Sequence, residues 1–556
     1  MTGAGGKPVD QMPGCVIEPP LVLANAEDIT WHDRAEVVVV GLGAAGASAA
    51  IEARDSGAEV LILDRFEGGG ATRWSGGIVY AGGTRYQREA GKEDTADEMF
   101  KYLLQEVHEA ARPETLRRFC EDSNANVKWL EAQGIGFEGS LHAGKTTFPP
   151  EDKYLYYSGN EKVPNYAAVA KPAPRGHRVV GKGWTGYVIA ERLKSAAMKG
   201  TRQLFHSRVV RLVQDERGHV VGLEVLRIPP AHQAAHQVLF DKMDPMRPFG
   251  AAKAEKLVAA ARRLEAAHGQ RIMVRASRAV ILACGGFAYN IEMVRGTMPA
   301  IADTFRTLIR MSALSCDGSG IQLGQSVGGA SGWMDKPFLG RLIAPPEATI
   351  KGIIVNRQGR RFINEDCYNN DLGRAIAAQP GAAAWLIVDK ATFRLILRQA
   401  LQMGEGTFKN FGMPTLLNLA FGGTKKAGTL GGIEQKCGLP AGSLERTVAE
   451  LNDARAKGQP DPLGKAEENF AAVGAGPYRA INTAVANVFS FMPFFTLGGL
   501  LLDQATGQVM GTGGAPVGGL YAAGRTAVGL CSDGYLSGMS IADCVFSGRR
   551  AGRSCT

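Results

Sequence analysis

The chain has 556 residues, of which 45% are hydrophobic, so it can bury a large core and form two or three domains. Its formal charge of +9 suits an anionic surface, a phosphate-bearing cofactor or nucleic acid, but no helix-turn-helix, RNA-binding or zinc-finger pattern accompanies it, so no nucleic-acid partner is predicted. The nine cysteines form no CxxC pair and no metal-site spacing, which predicts no metal and a reduced, cytoplasmic compartment.

Residues 1–29 are predicted to form an N-terminal extension. They carry glycine, proline and mixed charge but no basic segment followed by an apolar run, so no secretory signal is expected. No stretch of the chain reaches about 18 uninterrupted apolar residues, which predicts that no helix spans a membrane.

A βαβ unit is predicted from residue 35 to 64, where the chain reads AEVVVVGLGAAGASAAIEARDSGAEVLILD. Gly41 permits the tight turn, Gly43 lets a pyrophosphate approach the backbone, and Gly46 lets helix and strand pack closely. The start of the helix offers N–H groups to phosphates. Asp64 stands where a carboxylate can accept both ribose hydroxyls. The unit therefore predicts a dinucleotide site.

The next segment indicates which dinucleotide. Residues 65–83 read RFEGGGATRWSGGIVYAGG, a second glycine-rich loop directly after the ribose-binding acid. A nicotinamide enzyme would continue with another helix and strand. A loop here suits a longer cofactor that lies extended across the domain, which favours FAD.

Residues 35–83 resemble the fumarate reductase and succinate dehydrogenase flavoprotein superfamily. The resemblance continues in blocks over most of the chain: SRVVRLV near residue 210, RAVILACGGF at 278–287, VNRQGRRFINED at 355–366, FTLGGLLLD at 495–503 and GGLYAAGR at 518–525. It implies an α/β fold, in which a Rossmann-like FAD-binding domain carries an inserted α+β catalytic cap. Succinate dehydrogenases bear a flavin-linked histidine at the position of Gly70, so the resemblance implies noncovalent FAD.

The resemblance also implies a set of cofactor-binding residues, with Val210 beside the adenine and the helix near Gly538 directed at the flavin. The set comprises Gly41, Gly43, Ala45, Gly46, Asp64, Arg65, Thr72, Ser75, Gly76, Gly77, Val210, Ala283, Gly285, Gly524, Arg525, Gly538, Ser540 and Ile541. Many relatives have an acid at the position of Arg525. That departure is expected to shift the flavin potential or to bring in another anion.

By this resemblance, residues 30–332 and 491–556 form the FAD-binding domain and residues 333–490 form the cap. A proline- and aromatic-rich segment, FPPEDKYLYYSGNEKVPNY, is predicted as loop. It either roofs the pocket or is an exposed excursion.

Residues 229–276 look like an insertion whose residues 235–268 are a candidate peripheral membrane contact. Basic side chains beside exposed aromatic and methionine side chains suit a membrane interface. The apolar residues are Leu239, Phe240, Met243, Met246 and Phe249, and the cations are Lys253, Lys256, Arg262 and Arg263. A surface helix packed on its own domain and a subunit contact are the alternatives.

Enzymes that act on fumarate need fixed positive charge at both carboxylates. In the matching blocks of this chain, Asn369 and Tyr535 stand where those enzymes have arginine, and Phe495 stands where they have histidine. All three changes replace cationic side chains by neutral or aromatic ones. We therefore expect a large, neutral, mostly apolar substrate.

The blocks SGGIVYAGG, RFINEDCY and GYLSGMS resemble the 3-ketosteroid dehydrogenases, and the Δ4-(5α) type more than the Δ1 type. The resemblance implies that Tyr535 with Ser537 takes the C4 proton, that Tyr368 assists, and that flavin N5 accepts the C5 hydride. Tyrosine, with an ordinary pKa of about 10, needs charges or hydrogen bonds that favour its anion for this role. The resemblance implies these substrate-pocket residues: Tyr80, Phe495, Thr496, Gly498 and Gly534.

Several alternatives stay open at this point. Tyr80 either lines the steroid cavity or packs beneath the flavin, and Tyr368 is either functional or a loop aromatic. The enzyme is a Δ4-dehydrogenase, a Δ1-dehydrogenase, or a reductase of a steroid, bile acid or terpenoid enone. A non-enzymatic lipid carrier is a third class. The sequence leaves the electron acceptor and the oligomeric state undetermined.

Overall fold

The computed structural model describes residues 17–244, 250–305, 307–490 and 492–556. The strands are β1 (Leu21–Leu23), β2 (Asp33–Val40), β3 (Val60–Leu63), β4 (Ile78–Tyr80), β5 (Leu141–Lys145), β6 (Leu155–Tyr157), β7 (Gly176–Arg178), β8 (Arg202–Leu204), β9 (Ser207–Asp215), β10 (Val220–Arg227), β11 (Gln270–Leu282), β12 (Ile309–Arg310), β13 (Ser331–Gly332), β14 (Pro337–Leu339), β15 (Ile353–Val355), β16 (Trp385–Val388), β17 (Lys425–Ala427), β18 (Tyr478–Asn482), β19 (Pro493–Thr496), β20 (Gly499–Leu500), β21 (Gln508–Met510) and β22 (Pro516–Ala522).

The helices are α1 (Ala44–Asp55), α2 (Arg85–Glu89), α3 (Ala96–Glu106), α4 (Pro113–Ala132), α5 (Pro164–Ala167), α6 (Gly186–Met198), α7 (Pro230–Asp241), α8 (Gly250–His268), α9 (Ile291–Thr297), α10 (Pro299–Ala302), α11 (Ser319–Ser326), α12 (Asn369–Ala377), α13 (Lys390–Leu401), α14 (Glu405–Thr407), α15 (Met413–Phe421), α16 (Leu430–Cys437), α17 (Ser443–Ala456) and α18 (Met539–Ser554). A π-helical turn, Phe408–Gly412, joins α14 to α15. Among the described helices, none combines the length and the apolar content that a membrane crossing requires.

The main sheet has a parallel centre made of β11, β2, β3 and β8 in that order. β10, β9 and β1 continue it beyond β11, which also pairs with β22. Residues 37–40 of β2 are four buried valines, and a run that is apolar on both faces is typical of a central parallel strand. β2, α1 and β3 follow one another as the sequence predicted, so the α/β fold and the βαβ unit are confirmed.

Two glycines let α1 begin against the end of β2. Gly41 has φ +102°, and a Cβ atom there would lie 2.5 Å from the carbonyl oxygen of Ala283. A Cβ atom on Gly46 would lie 1.8 Å from the carbonyl oxygen of Gly41. Both positions therefore exclude any side chain, in agreement with the tight turn and close packing expected of them.

A second sheet has the strand order β4, β7, β6, β5 and adjoins the start of α18. The backbone N–H of Tyr80 in β4 donates to the carbonyl oxygen of Gly538, at 3.2 Å. Gly538 has φ +93°, and a Cβ atom there would lie 2.7 Å from the Tyr80 nitrogen. Glycine at this position allows the start of α18 to lie directly on β4.

A third, antiparallel sheet has the order β15, β16, β18, β17. All its strands lie within residues 333–490, the predicted cap, and Ile387 of β16 packs with Leu444 and Val448 of α17. Elsewhere β14 pairs antiparallel with β19, which sets Phe338 opposite Phe495. The domain boundaries themselves stay a prediction.

The insertion forms α7 and α8, and its described apolar side chains are mostly buried. Phe240, Met243, Leu257 and Ala261 pack in one cluster with Phe66 of the FAD-binding region. The expectation that Phe240 and Met243 are exposed was therefore wrong, because their own domain covers them. Met246 and Phe249 lie outside the described residues. The packing matches the alternative of a surface helix seated on its own domain.

Candidate active site

One large cavity runs from the βαβ loop to the cap. Its empty volume is about 1620 Å³, counting space open to solvent, whereas a small-molecule site ordinarily takes roughly 300–1,000 Å³. The lining includes these predicted cofactor-binding residues: Gly41, Gly43, Ala45, Asp64, Arg65, Thr72, Ser75, Gly76, Ala283, Gly285, Arg525, Gly538, Ser540 and Ile541. It also includes Tyr368, Phe495, Tyr535 and Ser537. The volume suits a long cofactor together with a second molecule.

The βαβ end of the cavity is held open by backbone hydrogen bonds. The N–H groups of Leu42 and Phe66 donate to the two carboxylate oxygens of Asp64, at 2.7 and 2.8 Å. The N–H of Ala44 donates to Thr72 Oγ1 at 3.0 Å. These bonds fix the loop so that the N-terminus of α1 faces the cavity, where its positive end stabilises a phosphate. The arrangement fits a dinucleotide.

Two arginines line the same end, and Glu265 of α8 pairs with both. Glu265 Oε1 lies 2.6 Å from Arg65 Nε, and its Oε2 lies 3.1 Å from Arg208 Nε. Arg65 also contacts Asp317, at 2.9 Å. Although burial works to raise the pKa of Glu265, Arg65 and His236 lower it to about 2. The insertion is therefore part of this end of the site, which the sequence analysis missed because Glu265 is 200 residues from Arg65.

The flavin end is predicted at the start of α18. Gly538 caps this helix, and Ser540 and Ile541 of its first turn line the cavity. The N–H groups of a helix's first turn lack intrahelical acceptors and carry partial positive charge. Such a terminus stabilises negative charge on an adjacent ring. Arg525 adds a full positive charge to this part of the lining, with its guanidinium 4.9 Å from the centre of the Phe495 ring.

The remaining wall of the cavity is apolar and largely aromatic. The Phe411 ring lies 6.0 Å from Phe148 and 6.2 Å from Trp184, and all three line the cavity. Phe338 and Phe495 stack at 4.5 Å on another part of the lining. Phe148 begins the segment FPPEDKYLYYSGNEKVPNY, so the start of that segment contributes to the pocket wall. The prediction that the whole segment is loop was wrong, because β6 and the start of α5 lie within it. The wall suits a rigid apolar molecule.

Tyr535 stands between these aromatic side chains. Its ring lies 4.8 Å from Phe338, 5.1 Å from Phe495 and 6.4 Å from Tyr368. Tyr368 immediately precedes α12 and is buried. The structure therefore brings together the two tyrosines that the sequence analysis singled out, although their positions differ by 167 in the chain.

Ser537 is held by a residue that the sequence analysis did not select. Tyr156 of β6 shares a hydrogen bond of 3.0 Å with Ser537 Oγ, and its hydroxyl also lies 3.1 Å from the carbonyl oxygen of Thr147. Ser158 Oγ donates to the Ser537 carbonyl at 3.1 Å. The double tyrosine in the FPPEDKYLYY stretch was the available signal, but nothing in it shows that β6 faces the loop before α18.

Burial shapes the acidity of the three tyrosines. It raises the pKa of Tyr535, with a further rise from Cys531, while Arg525 lowers it. Burial likewise raises the pKa of Tyr368, and its hydrogen bond with Ser537 lowers it. Burial also raises the pKa of Tyr156. Each phenol is therefore neutral at pH 7, and the anion of Tyr535 depends on the charge of Arg525.

Four of the predicted substrate-pocket residues lie outside the lining. Tyr80 is buried and its hydroxyl donates to Glu161 at 3.3 Å, which agrees with the packing alternative, and its assignment to the steroid pocket stays a prediction. Thr496 Oγ1 accepts the N–H of Phe287 at 3.0 Å. Gly498 and Gly534 permit close backbone contacts, since their Cβ atoms would lie 2.3 Å and 1.6 Å from neighbouring carbonyl oxygens. These residues shape loops around the site.

Four predicted cofactor-binding residues also lie outside the lining. Gly46 and Gly77 abut backbone atoms of their own domain, and Gly524 abuts Ala45. On β9, Val209 is among the lining residues and the adjacent Val210 is not. These corrections concern contact with the cavity, and the other cofactor assignments stay predictions.

Comparison with known proteins gives concordant results. Residues 36–540 match the model of the FAD binding domain family. The chain is 37% identical over 516 residues to the 3-oxo-5-alpha-steroid 4-dehydrogenase of Comamonas testosteroni, covering 91% of this chain and 95% of that protein.

Two solved structures extend the comparison. The 3-ketosteroid-delta4-(5alpha)-dehydrogenase of Rhodococcus jostii RHA1, in complex with 4-androstene-3,17-dione, is 31% identical with a TM-score of 0.80, covering 97% of this chain and 99% of that one. The 3-ketosteroid delta1-dehydrogenase of Sterolibacterium denitrificans, in complex with 1,4-androstadiene-3,17-dione, has a TM-score of 0.64 at 18% identity, with 94% and 99% coverage. The latter likeness is one of fold.

Proposed function

The chain belongs to the FAD-binding flavoprotein family that includes the 3-ketosteroid dehydrogenases, and from that premise we propose that it introduces a C4–C5 double bond into a 3-ketosteroid. One observation carries the proposal: Tyr535 lines an aromatic-walled cavity together with Ser537. Tyr535 stands at the position where the dicarboxylate enzymes have an arginine. A carboxylate clamp is thereby replaced by a group that can move a proton.

The cavity fits the family's cofactor. Gly43 leaves open backbone beside the N-terminus of α1, Asp64 is fixed for a ribose, and α18 directs its N-terminus at the lining. Gly70, which also lines the cavity, has no side chain to form the histidine linkage. The chain therefore binds FAD noncovalently. Bound FAD supplies the acceptor for the hydride that leaves C5.

The protein's own part is to remove the C4 proton and to hold the ketone. Tyr535 takes the proton as its anion, and Ser537 lies in the same loop to relay it. Because burial disfavours a phenolate, the positive charge of Arg525 and the N-terminus of α18 are needed to stabilise it. Tyr368 assists as a neutral hydroxyl that hydrogen-bonds to Ser537. The steroid loses one proton and one hydride and becomes the conjugated enone.

Product analysis tests the proposal. The purified flavoprotein is incubated anaerobically with an artificial electron acceptor and a panel of 5α-, 5β- and Δ4-3-ketosteroids. We expect the 5α-saturated ketone to give the Δ4-3-ketone, seen by mass spectrometry and by enone absorbance. A Δ1 product would establish the Δ1-dehydrogenase alternative, and reduction of a Δ4-3-ketone by the reduced enzyme would establish the enone reductase.

The panel also addresses substrate range and partners. An apolar steroid ketone is the proposed substrate. No physiological electron acceptor is proposed, and the assay uses any reagent that reoxidises the flavin. The membrane contact proposed for residues 235–268 has lost its support from Phe240 and Met243, which are buried. Met246 and Phe249 lie outside the described residues, so they add no support for it.

A further inference from the structure

The cap carries a strongly exposed apolar face. We define the cap apolar face as Leu401 at the end of α13 with Met413, Leu417, Ala420 and Phe421 of α15. Leu401 is 64% exposed, Phe421 68% and Met413 39%. Large apolar side chains exposed together on a surface indicate an interaction site.

The helical spacing explains why these side chains share a face. Residues 413, 417, 420 and 421 are spaced i, i+4, i+7 and i+8, which is one side of an α-helix. The opposite side carries Pro414 and Asn418, both buried. Gly412 brings α15 against the end of α13, since a Cβ atom there would lie 2.7 Å from the carbonyl oxygen of Ala400. Met413 therefore begins α15 close to Leu401.

The segment that carries this face is rich in cations. Residues 390–426 contain six cations and one acid, Glu405. All six cations are exposed and form no ion pair in the described part of the chain: Lys390, Arg394, Arg398, Lys409, Lys425 and Lys426. Arg394 and Arg398 lie seven and three residues before Leu401, on the same side of α13. An apolar stripe edged with unpaired cations is complementary to a surface that is both apolar and anionic.

We propose that the cap apolar face docks on the surface of an anionic lipid bilayer. Apolar side chains then enter the acyl boundary while the cations meet the headgroups. Lysine and arginine suit headgroups because their long side chains can lie along an apolar surface while the charged end stays at the headgroups. If two copies of this chain met through this face, the same cations of each copy would repel one another, which disfavours self-association. This surface is distinct from residues 235–268.

The face also lies on the segment that forms part of the cavity wall. Phe411, two residues before Met413, lines the cavity, so one short segment separates the cavity from the docked side. The proposed function makes the substrate an apolar steroid, and this step of the argument rests on it. Docking here would place the cap beside the lipid bilayer, in which such a substrate dissolves. Docking itself does not depend on which bond is oxidised.

Vesicle co-sedimentation of the holoenzyme tests the proposal with matched variants. We expect binding to vesicles of phosphatidylcholine with phosphatidylglycerol, weaker binding to phosphatidylcholine alone, and a loss at high salt. The double substitution Lys425→Glu/Lys426→Glu should lower the partition coefficient about tenfold or more. Phe421→Ser should lower it about tenfold or more, since an exposed phenyl ring is the part that inserts. Turnover of a dissolved substrate should not change.

The insertion supplies the controls. Val238 of α7 is 43% exposed, and Lys253 and Lys256 are exposed on α8. Val238→Ser and Lys253→Glu/Lys256→Glu should leave vesicle binding unchanged. No vesicle binding by the unaltered protein would overturn the proposal, as would losses confined to the insertion variants. A concentration-dependent dimer that Phe421→Ser dissociates, without vesicle binding, would assign the face to a second copy and also overturn it.

Discussion

Replacing Tyr535 by phenylalanine should abolish nearly all turnover while leaving the fold and the flavin in place. The ring would keep its contacts with Phe338 at 4.8 Å and Phe495 at 5.1 Å. Tyr535 lines the cavity, and its hydroxyl forms no hydrogen bond to the described part of the protein, so its removal leaves no protein group unpaired. We expect the free energy of unfolding to change by no more than about 0.5 kcal/mol.

The catalytic loss should be far larger. A positioned base contributes roughly 10²–10⁴ in rate, which is about 2.7–5.5 kcal/mol of transition-state free energy at about 1.36 kcal/mol per tenfold. Single-turnover flavin reduction by a 5α-3-ketosteroid measures that step without the electron acceptor. Flavin absorbance and a denaturant titration confirm that the variant is loaded and folded. Flavin reduction within about threefold of the unaltered rate would refute the role given to Tyr535.

Three further outcomes are expected. Tyr156→Phe should slow flavin reduction less than Tyr535→Phe does, because it removes only the 3.0 Å hydrogen bond that positions Ser537; an unchanged rate would show that Ser537 needs no such support. Arg525 lowers the pKa of Tyr535, so Arg525→Gln should move the rise of flavin reduction with pH to higher pH, whereas Arg525→Lys should largely restore it; identical profiles would contradict this coupling. Glu265→Gln should lower the free energy of unfolding by about 1–3 kcal/mol because it removes one charged partner of the buried Arg65, which keeps Asp317, and the same change at the exposed Glu467 should alter it by less than about 1 kcal/mol in denaturant titrations.

The cofactor end was predictable because its signals are local. A buried strand, a glycine-rich turn, a helix and a second strand follow one another within residues 35–64, so the motif is recognisable even though the backbone that crowds Gly41 belongs to the distant Ala283. Tyr535 and Ser537 were predictable for a similar reason, since they stand in one short motif that relatives share.

The other parts depend on contacts between distant segments. Tyr156 reaches Ser537 across 381 positions, and Glu265 reaches Arg65 across 200. The amphipathic pattern of the insertion was read as an exposed face because a pattern shows which side is apolar and not what covers it. The sequence left open whether Tyr80 lines the pocket or packs, because its partner Glu161 is 81 positions away.

The contact between Glu265 and the two arginines determines what deletion of the insertion would do to the protein. Deleting residues 235–268 would remove the carboxylate that Arg65 and Arg208 share and expose the apolar cluster around Phe66 to solvent. We therefore expect the truncated chain to lose stability and cofactor affinity whatever the segment does at a membrane. Point substitutions on the outer side of α7 and α8 leave those contacts intact. The insertion is in this sense an internal support of the βαβ end of the cavity, and its removal would test that support rather than a membrane contact.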